Sequence, residues 1–432
     1  MPLIAISALV FLALGVPIAI VLGASSLLFL FFRTDLPLVL IPQRMFVGTD
    51  VFILMCLPFF ILAGLLMNEG GITQRLVRLS QFLVGNLRGS LAQVNVVTSM
   101  FFGGITGAAV ADTSAVGTVL IPAMVDEGYD SEFAAAVTAS SSIIGPIIPP
   151  SIPMLVYAFV SDTSVGALFL AGAIPGIVIG FSMIFLNYFL VTMGGRYRPL
   201  RVERRSRAFR EMMAILKDGL LALIMPIIIV GGIVGGVFTP TEASAVAVFY
   251  AFFVGFFIFR EIKLSRLPAI FLQTGILSAV VMFIIATSKV LAWILAFEQI
   301  PQQVTNLFLS ISGNWVIFLI LIIVLLLFVG TFLEPSGALI ILVPVLLPTA
   351  KAMGFDPVHF GAIMVIGLVI GLITPPVGLC LFVASSISKV TIEKISRACI
   401  PFICLLVGVL LLVAFFPSIS LWLPRVIMGY QG

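Results

Sequence analysis

The stretch that most constrains this chain is an apolar run broken by prolines: Ser140-Ser141-Ser142-Ile143-Ile144-Gly145-Pro146-Ile147-Ile148-Pro149-Pro150-Ser151. Proline lacks an N–H and its ring clashes with the preceding turn, so the prolines from Pro146 to Pro153 end any helix that enters here. In hydrocarbon, backbone freed in this way survives only inside protein or beside a water-filled cavity. The stretch also recurs. Counting 226 residues on takes Gly104 to Gly330, Pro122 to Pro348, Gly145 to Gly371 and Pro149-Pro150 to Pro375-Pro376, without a gap. Proline is only 25 of 432 residues, so an adjacent pair repeated in one register is improbable by chance. Internal repeats of Gly/Pro-interrupted apolar segments point to a secondary transporter and to its binding site.

Composition agrees with a membrane solvent. The chain is 61% hydrophobic and 9% charged, against roughly 25% charged in soluble domains, which gives an all-α polytopic membrane protein in contact with lipid. A pI near 9.0 does not indicate nucleic acid, because the basic residues lie in short connections, as membrane topology demands. The start, Met1-Pro2-Leu3-Ile4, has no basic region or cleavage site, so no signal peptide is expected. Cys56, Cys380, Cys399 and Cys404 lack metal-ligand spacing and read as small buried hydrophobes. His359 is the only histidine, and no nucleophile–base pair or facing aspartates appear, so no enzyme is expected.

The repeat divides the chain into residues 1–195, a basic cytoplasmic loop 196–218, and residues 219–432. Each half is expected to carry a re-entrant hairpin (about 91–124 and 315–349) whose arms are too short to cross comfortably. Each is also expected to carry a broken helix (131–159 and 358–388). Segments 71–87 and 299–312 read as amphipathic arms along the interface. Placing Arg196–Lys217 inside also puts Arg75, Arg78, Arg88, Arg260, Lys263, Arg266, Lys389, Lys394 and Arg397 inside. The halves are then inverted and both termini lie outside. Lys289, near a helix end, is expected to snorkel. Gly231-Gly232 and Gly235-Gly236 read as a small-residue helix-packing pattern.

Each break frees carbonyl oxygens, which suit Na⁺, and exposes half-helix N-termini, which attract carboxylates. The first cation site is expected at Gly104, Thr106, Asp112, Ser142, Gly145 and Pro149, and the second at Gly330, Thr331, Gly371, Thr374 and Pro375. Glycines admit an ion close to the backbone, and hydroxyls add ligands. Two plainer readings stand beside this one. The prolines could kink helices for packing while the serines bond their own backbone, and Asp112 and Glu334 could be caps.

Several runs carry a resemblance: Gly103-Gly104-Ile105-Thr106-Gly107-Ala108-Ala109-Val110-Ala111-Asp112, Ile121-Pro122-Ala123-Met124, Pro149-Pro150-Ser151, Thr374-Pro375-Pro376-Val377-Gly378 and Ala63-Gly64-Leu65-Leu66-Met67-Asn68-Glu69-Gly70-Gly71-Ile72. Together they resemble the large membrane (permease, DctM-type) subunit of tripartite ATP-independent periplasmic (TRAP) transporters, over essentially the whole chain. The resemblance implies Na⁺-coupled uptake of an organic acid across the bacterial inner membrane by an elevator mechanism. It implies two partners: a periplasmic substrate-binding protein and a small four-helix membrane subunit. The latter is expected to be separate, since no four-span block precedes Leu3. It also implies two or more Na⁺ ions, one between each hairpin tip and the adjacent broken helix, with substrate between them. Ser141, Pro150, Ser151, Ser336, Pro376 and Gly378 are the expected substrate contacts. Relatives often carry Ser where this chain has Thr106, which keeps the hydroxyl. The alternative is a stand-alone Na⁺-coupled anion carrier of related fold, without a binding protein.

Overall fold

A computed structural model describes residues 2–32, 36–193, 209–311 and 314–431, and no strand occurs among them. The first half begins with α1 (Pro2–Ala13) and α2 (Ile18–Phe32), separated by a break at Gly15–Pro17, then α3 (Leu40–Thr49). A 3₁₀ turn leads into α4 (Cys56–Glu69), followed by α5 (Ile72–Val84), α6 (Ser90–Thr106) and α7 (Ala109–Asp126). The half closes with α8 (Ser131–Ser142), α9 (Ile152–Ser161) and the long α10 (Val165–Met193). The second half repeats the order with one helix, α13, in place of α3 and α4: α11 (Phe209–Val234), α12 (Pro240–Phe253), α13 (Leu267–Phe297), α14 (Ile300–Ile311), α15 (Trp315–Phe332), α16 (Pro335–Ala352), α17 (Pro357–Gly371), α18 (Leu379–Ser388) and α19 (Ile392–Phe415). A final α20 (Ser418–Met428) packs on α10. Among the described residues, nine helical segments are long and apolar enough to cross a membrane.

Helix starts follow local chemistry. Thr239 and Glu242 form a reciprocal capping box ahead of α12. Asp356 accepts from the N–H groups of Val358 and His359 at the start of α17, and Pro357 occupies the first turn, where no N–H is required. In α5, Ile72, Leu76 and Leu79 are buried while Gln74 and Arg78 are exposed, the single apolar stripe of an amphipathic helix.

The broken helices lie at the centre. Every residue of α17 from Val358 to Gly371 is buried, as is every residue of α8 from Phe133 to Ser142. In each repeat the incoming hairpin arm packs on its own broken helix, α6 on α8 and α15 on α17. The outgoing arm also packs on the far half of the other repeat's broken helix, α7 on α18 and α16 on α9. The two repeats are thus interlocked around one centre. Outside it, α2, α3 and α4 pack on α13, α4 on α12, and α5 on α11.

Some expectations are corrected. The basic loop was drawn to residue 218, but Phe209–Asp218 already forms the first turns of α11; residues 194–208 lie outside the described residues. The hairpin arms are longer than expected. Helices α7, α15 and α16 each have 18 residues, about 27 Å at 1.5 Å per residue, close to a hydrocarbon core of about 30 Å. Lys289 does not snorkel outward; its ammonium lies 4.4 Å from the centre of the Phe159 ring of α9. Gly231 meets no neighbouring helix, Gly232 faces Phe238, and Gly236, at φ +68°, turns the chain out of α11. Cys404 is exposed, unlike the other three cysteines. His359 is held structurally between Ser420 Oγ and the Ala414 carbonyl, at 2.7 and 3.3 Å.

Two of the basic groups expected on one side, Arg75 and Arg266, lie at the same end of the molecule. Arg75 bonds Glu261 at 2.8 Å, and Arg266 lies 3.7 Å from Glu69. Start of α5, end of α4 and the 260–266 connection therefore share one end of the molecule.

Candidate cation and substrate site

Two helix ends meet at the first site. Helix α6 stops at Thr106, leaving the carbonyls of Gly104, Ile105 and Thr106 without a backbone donor. Between α8 and α9 the chain turns through the prolines, and the carbonyls of Gly145, Pro149 and Pro150 accept no hydrogen bond. These two sets of acceptors are adjacent because glycine permits it. A methyl group on Gly103 would lie 2.6 Å from the Cα of Gly145, and one on Gly107 2.8 Å from the Pro150 carbonyl. Gly104 faces Pro226 and the Pro149 carbonyl.

Asp112, in the first turn of α7, enters the same region. It is fully buried, and neither carboxylate oxygen receives a well-formed hydrogen bond, the hydroxyls of Ser99 and Ser142 being its nearest polar neighbours. Its Oδ2 lies beside Gly145, and Ser99 and Ser142 face it. The Thr106 hydroxyl is likewise buried without a partner. Buried oxygens left without a partner are costly unless a cation or proton is shared among them.

The hydroxyls of α8 mostly satisfy themselves. Ser142 Oγ donates to the Thr138 carbonyl at 2.8 Å, and Ser141 Oγ to Asn95 Oδ1 at 3.0 Å. Ser151 Oγ bonds the Pro146 carbonyl and accepts from Met154 N, which makes it the cap of α9. These bonds use the protons and leave oxygen lone pairs.

The second site repeats the backbone plan. Methyl groups on Gly330 and Gly371 would overlap the Leu368 carbonyl and the Gly330 backbone, so α15 and α17 touch there through glycine. The carbonyls of Gly330, Phe332, Thr374, Pro375 and Pro376 accept no hydrogen bond. Gly378, at φ +61°, donates its N–H to the Thr331 carbonyl at 3.1 Å, which ties the break to the hairpin tip. Thr331 and Thr374 bond back to their own helices, at 2.8 and 2.9 Å. Glu334 caps α16, accepting from Gly337 N and Ser336 Oγ, so Ser336 is bound up in that cap. Glu334 therefore takes the capping role, whereas Asp112 has no such partner. Pro149–Pro150 and Pro375–Pro376 are both cis.

Residues 5–419 match the family described as tripartite ATP-independent periplasmic transporter, DctM component. The chain belongs to that family. It is 42% identical over 416 residues to the sialic acid TRAP transporter large permease protein SiaM of Vibrio cholerae, covering 96% of each chain. To the C4-dicarboxylate TRAP transporter large permease protein DctM of the same organism it is 38% identical, covering 96% of this chain and 95% of that one. The crystal structure of the YdaH transporter of Alcanivorax borkumensis matches 89% of this chain and 88% of its own at TM-score 0.58 and 15% identity, a likeness of fold.

For this TRAP large permease, then, the expected cation residues of each half do converge, although the two sites differ in exposure. Pro149 and Pro150 are buried, whereas Pro375 and Pro376 are exposed. Sequence reasoning missed Asn95, Ser99 and Thr138, all fully buried beside the first site. Their signal was a polar pair at i and i+4, Asn95 and Ser99, within an apolar helix.

Proposed function

We propose that this protein is the membrane path of a Na⁺-coupled importer of an organic acid in the bacterial inner membrane. Family membership implies a periplasmic binding protein and a small membrane subunit as partners, and the named relatives point to sialic or dicarboxylic acids as the substrate class. In this reading Na⁺ binds between Gly104–Thr106, Asp112 and the Gly145–Pro149 carbonyls. A second Na⁺ binds between Gly330–Thr331 and Gly371–Pro375. Substrate sits between them, its carboxylate drawn to the two ions and to the N-termini of α9 and α18. The hairpins and broken helices carry it across as a unit, by an elevator motion.

The carrying observation is Asp112, buried with two unpartnered oxygens among free carbonyls. A hard monovalent cation suits such an all-oxygen site. The substrate needs the same ions, because neither hairpin tip nor broken helix contains Lys or Arg, and an unpaired anion is costly at membrane depth. The test is reconstitution with both partners and an acidic-substrate screen under a Na⁺ gradient. Asp112→Asn is expected to lower Na⁺-driven uptake more than tenfold. Wild-type uptake indifferent to Na⁺ would overturn the reading.

A further inference from the structure

We propose that the cavity between α5 and α11 binds the headgroup of a phospholipid that carries a primary ammonium, of the phosphatidylethanolamine class. The cavity measures about 320 Å³, within the range of roughly 300–1,000 Å³ typical of small-ligand sites. Arg75, Arg78 and Gln81 line it from α5, and Glu211 and Asp218 from α11. Packing fixes its place in the fold: Leu79 rests on Gly219, where an added methyl would lie 2.7 Å from the leucine side chain. Its depth follows from α11 itself. Past Asp218 that helix is apolar, with Leu220, Ile224 and Ile227 exposed, and only 22% of its spanning stretch is buried. The charged first turns of α11 therefore meet its lipid-facing part beside the cavity, at the level where headgroups lie.

The charges select the headgroup. Arg75 is already engaged, donating to Glu261 at 2.8 Å and to the Gly71 carbonyl at 2.9 Å, with its guanidinium over the Phe259 ring. Its Nε is buried without a partner. Arg78 is left against Glu211 and Asp218, and among the described residues none of these three forms an ion pair. Two carboxylates facing one free guanidinium leave the cavity short of positive charge. An anionic headgroup would worsen that shortage, and pockets that hold anionic lipids are basic. A zwitterion fits instead. Its phosphate takes N–H donors from Arg78 and Gln81, and its ammonium offers three N–H donors to the carboxylates. Glu211 and Asp218 stand about two turns apart, roughly 10 Å along α11, so the ammonium finds an acceptor toward either end. Bound there, the lipid links α11 to α5, which leads into the hairpin arm α6.

The test uses the permease purified with its small membrane subunit and stripped of lipid in detergent. It is then given equal amounts of phosphatidylethanolamine, phosphatidylcholine and phosphatidylglycerol. Retained lipid is read by mass spectrometry, and stabilisation by the thermal midpoint. Ethanolamine lipid should be retained about fivefold over glycerol lipid, the scale of one partly exposed ion pair. Choline lipid, whose ammonium has no N–H to donate, should fall between them. Glu211→Gln combined with Asp218→Asn should abolish the preference, and Arg78→Gln should lower retention of all three lipids. Glu211 and Arg78 are exposed and Asp218 half-buried, so lipid-free midpoints should match wild type, which separates lost binding from lost folding. Equal retention of ethanolamine and glycerol lipids by wild type, or a preference that survives the paired substitution, would overturn the proposal. So would equal stabilisation by water-soluble glycerophosphoethanolamine at the same concentration, which would assign the cavity to a soluble zwitterion.

Discussion

At the scale of single residues, the site depends as much on missing atoms as on ligands. The tip of α6 reaches the break after α8 only because Gly103 and Gly145 have no side chains to hold them apart. Gly103→Ala should therefore separate the two sets of free carbonyls by a few tenths of an ångström or more. We expect at least a tenfold higher Na⁺ half-saturation, measured by uptake, and a lower thermal midpoint, because backbone rather than a flexible side chain blocks the added methyl. A half-saturation equal to wild type would show that the close approach does not shape the ion site. Gly104, Thr106, Asp112 and Gly145 were legible because glycines, hydroxyls and a carboxylate stand out in apolar sequence. Gly103 as the contact point was not, since sequence does not tell which of two adjacent glycines faces the break.

Among the helices, the breaks fall where proline and glycine dictate them. Gly15–Pro17, Pro146–Ser151 and Thr374–Gly378 all interrupt helices, and Asp162, at φ +55°, closes α9. Elements of mixed composition are harder to read from sequence. Helix α3 contains Pro42, Gln43 and Arg44 within ten residues, too mixed to stand out as a span. Helix α20 follows the last long apolar helix and reads as a tail. The hairpin arms are longer than their apolar runs suggest, because the polar tip residues are themselves helical, α6 and α7 being interrupted only at Gly107–Ala108. The start of α9 supplies a test at this scale. Ser151 is its cap, and Ser151→Ala should cost about 1 kcal/mol, read as a lowered thermal midpoint. The maximal uptake rate should fall as well if the N-terminus of α9 helps to draw in the carboxylate. A lower midpoint with unchanged uptake would limit Ser151 to holding the helix.

Taken whole, the molecule is two interlocked repeats, each hairpin's outgoing arm lying on the other repeat's broken helix. That interlock explains why a fixed register of 226 residues was so readable: α6, α7, α8 and the breaks must match in length to meet across the centre. Within it the two breaks differ in exposure, Pro149–Pro150 being buried and Pro375–Pro376 exposed. The central claim is that each break serves one coupling ion. The most direct measurement is the ratio of tracer Na⁺ to substrate taken up by proteoliposomes holding the permease with both partners. At least two Na⁺ per substrate, with a sigmoidal Na⁺ dependence and, for a monoanion, faster uptake at inside-negative potential, is the predicted result. One Na⁺ per substrate with a hyperbolic dependence would contradict it.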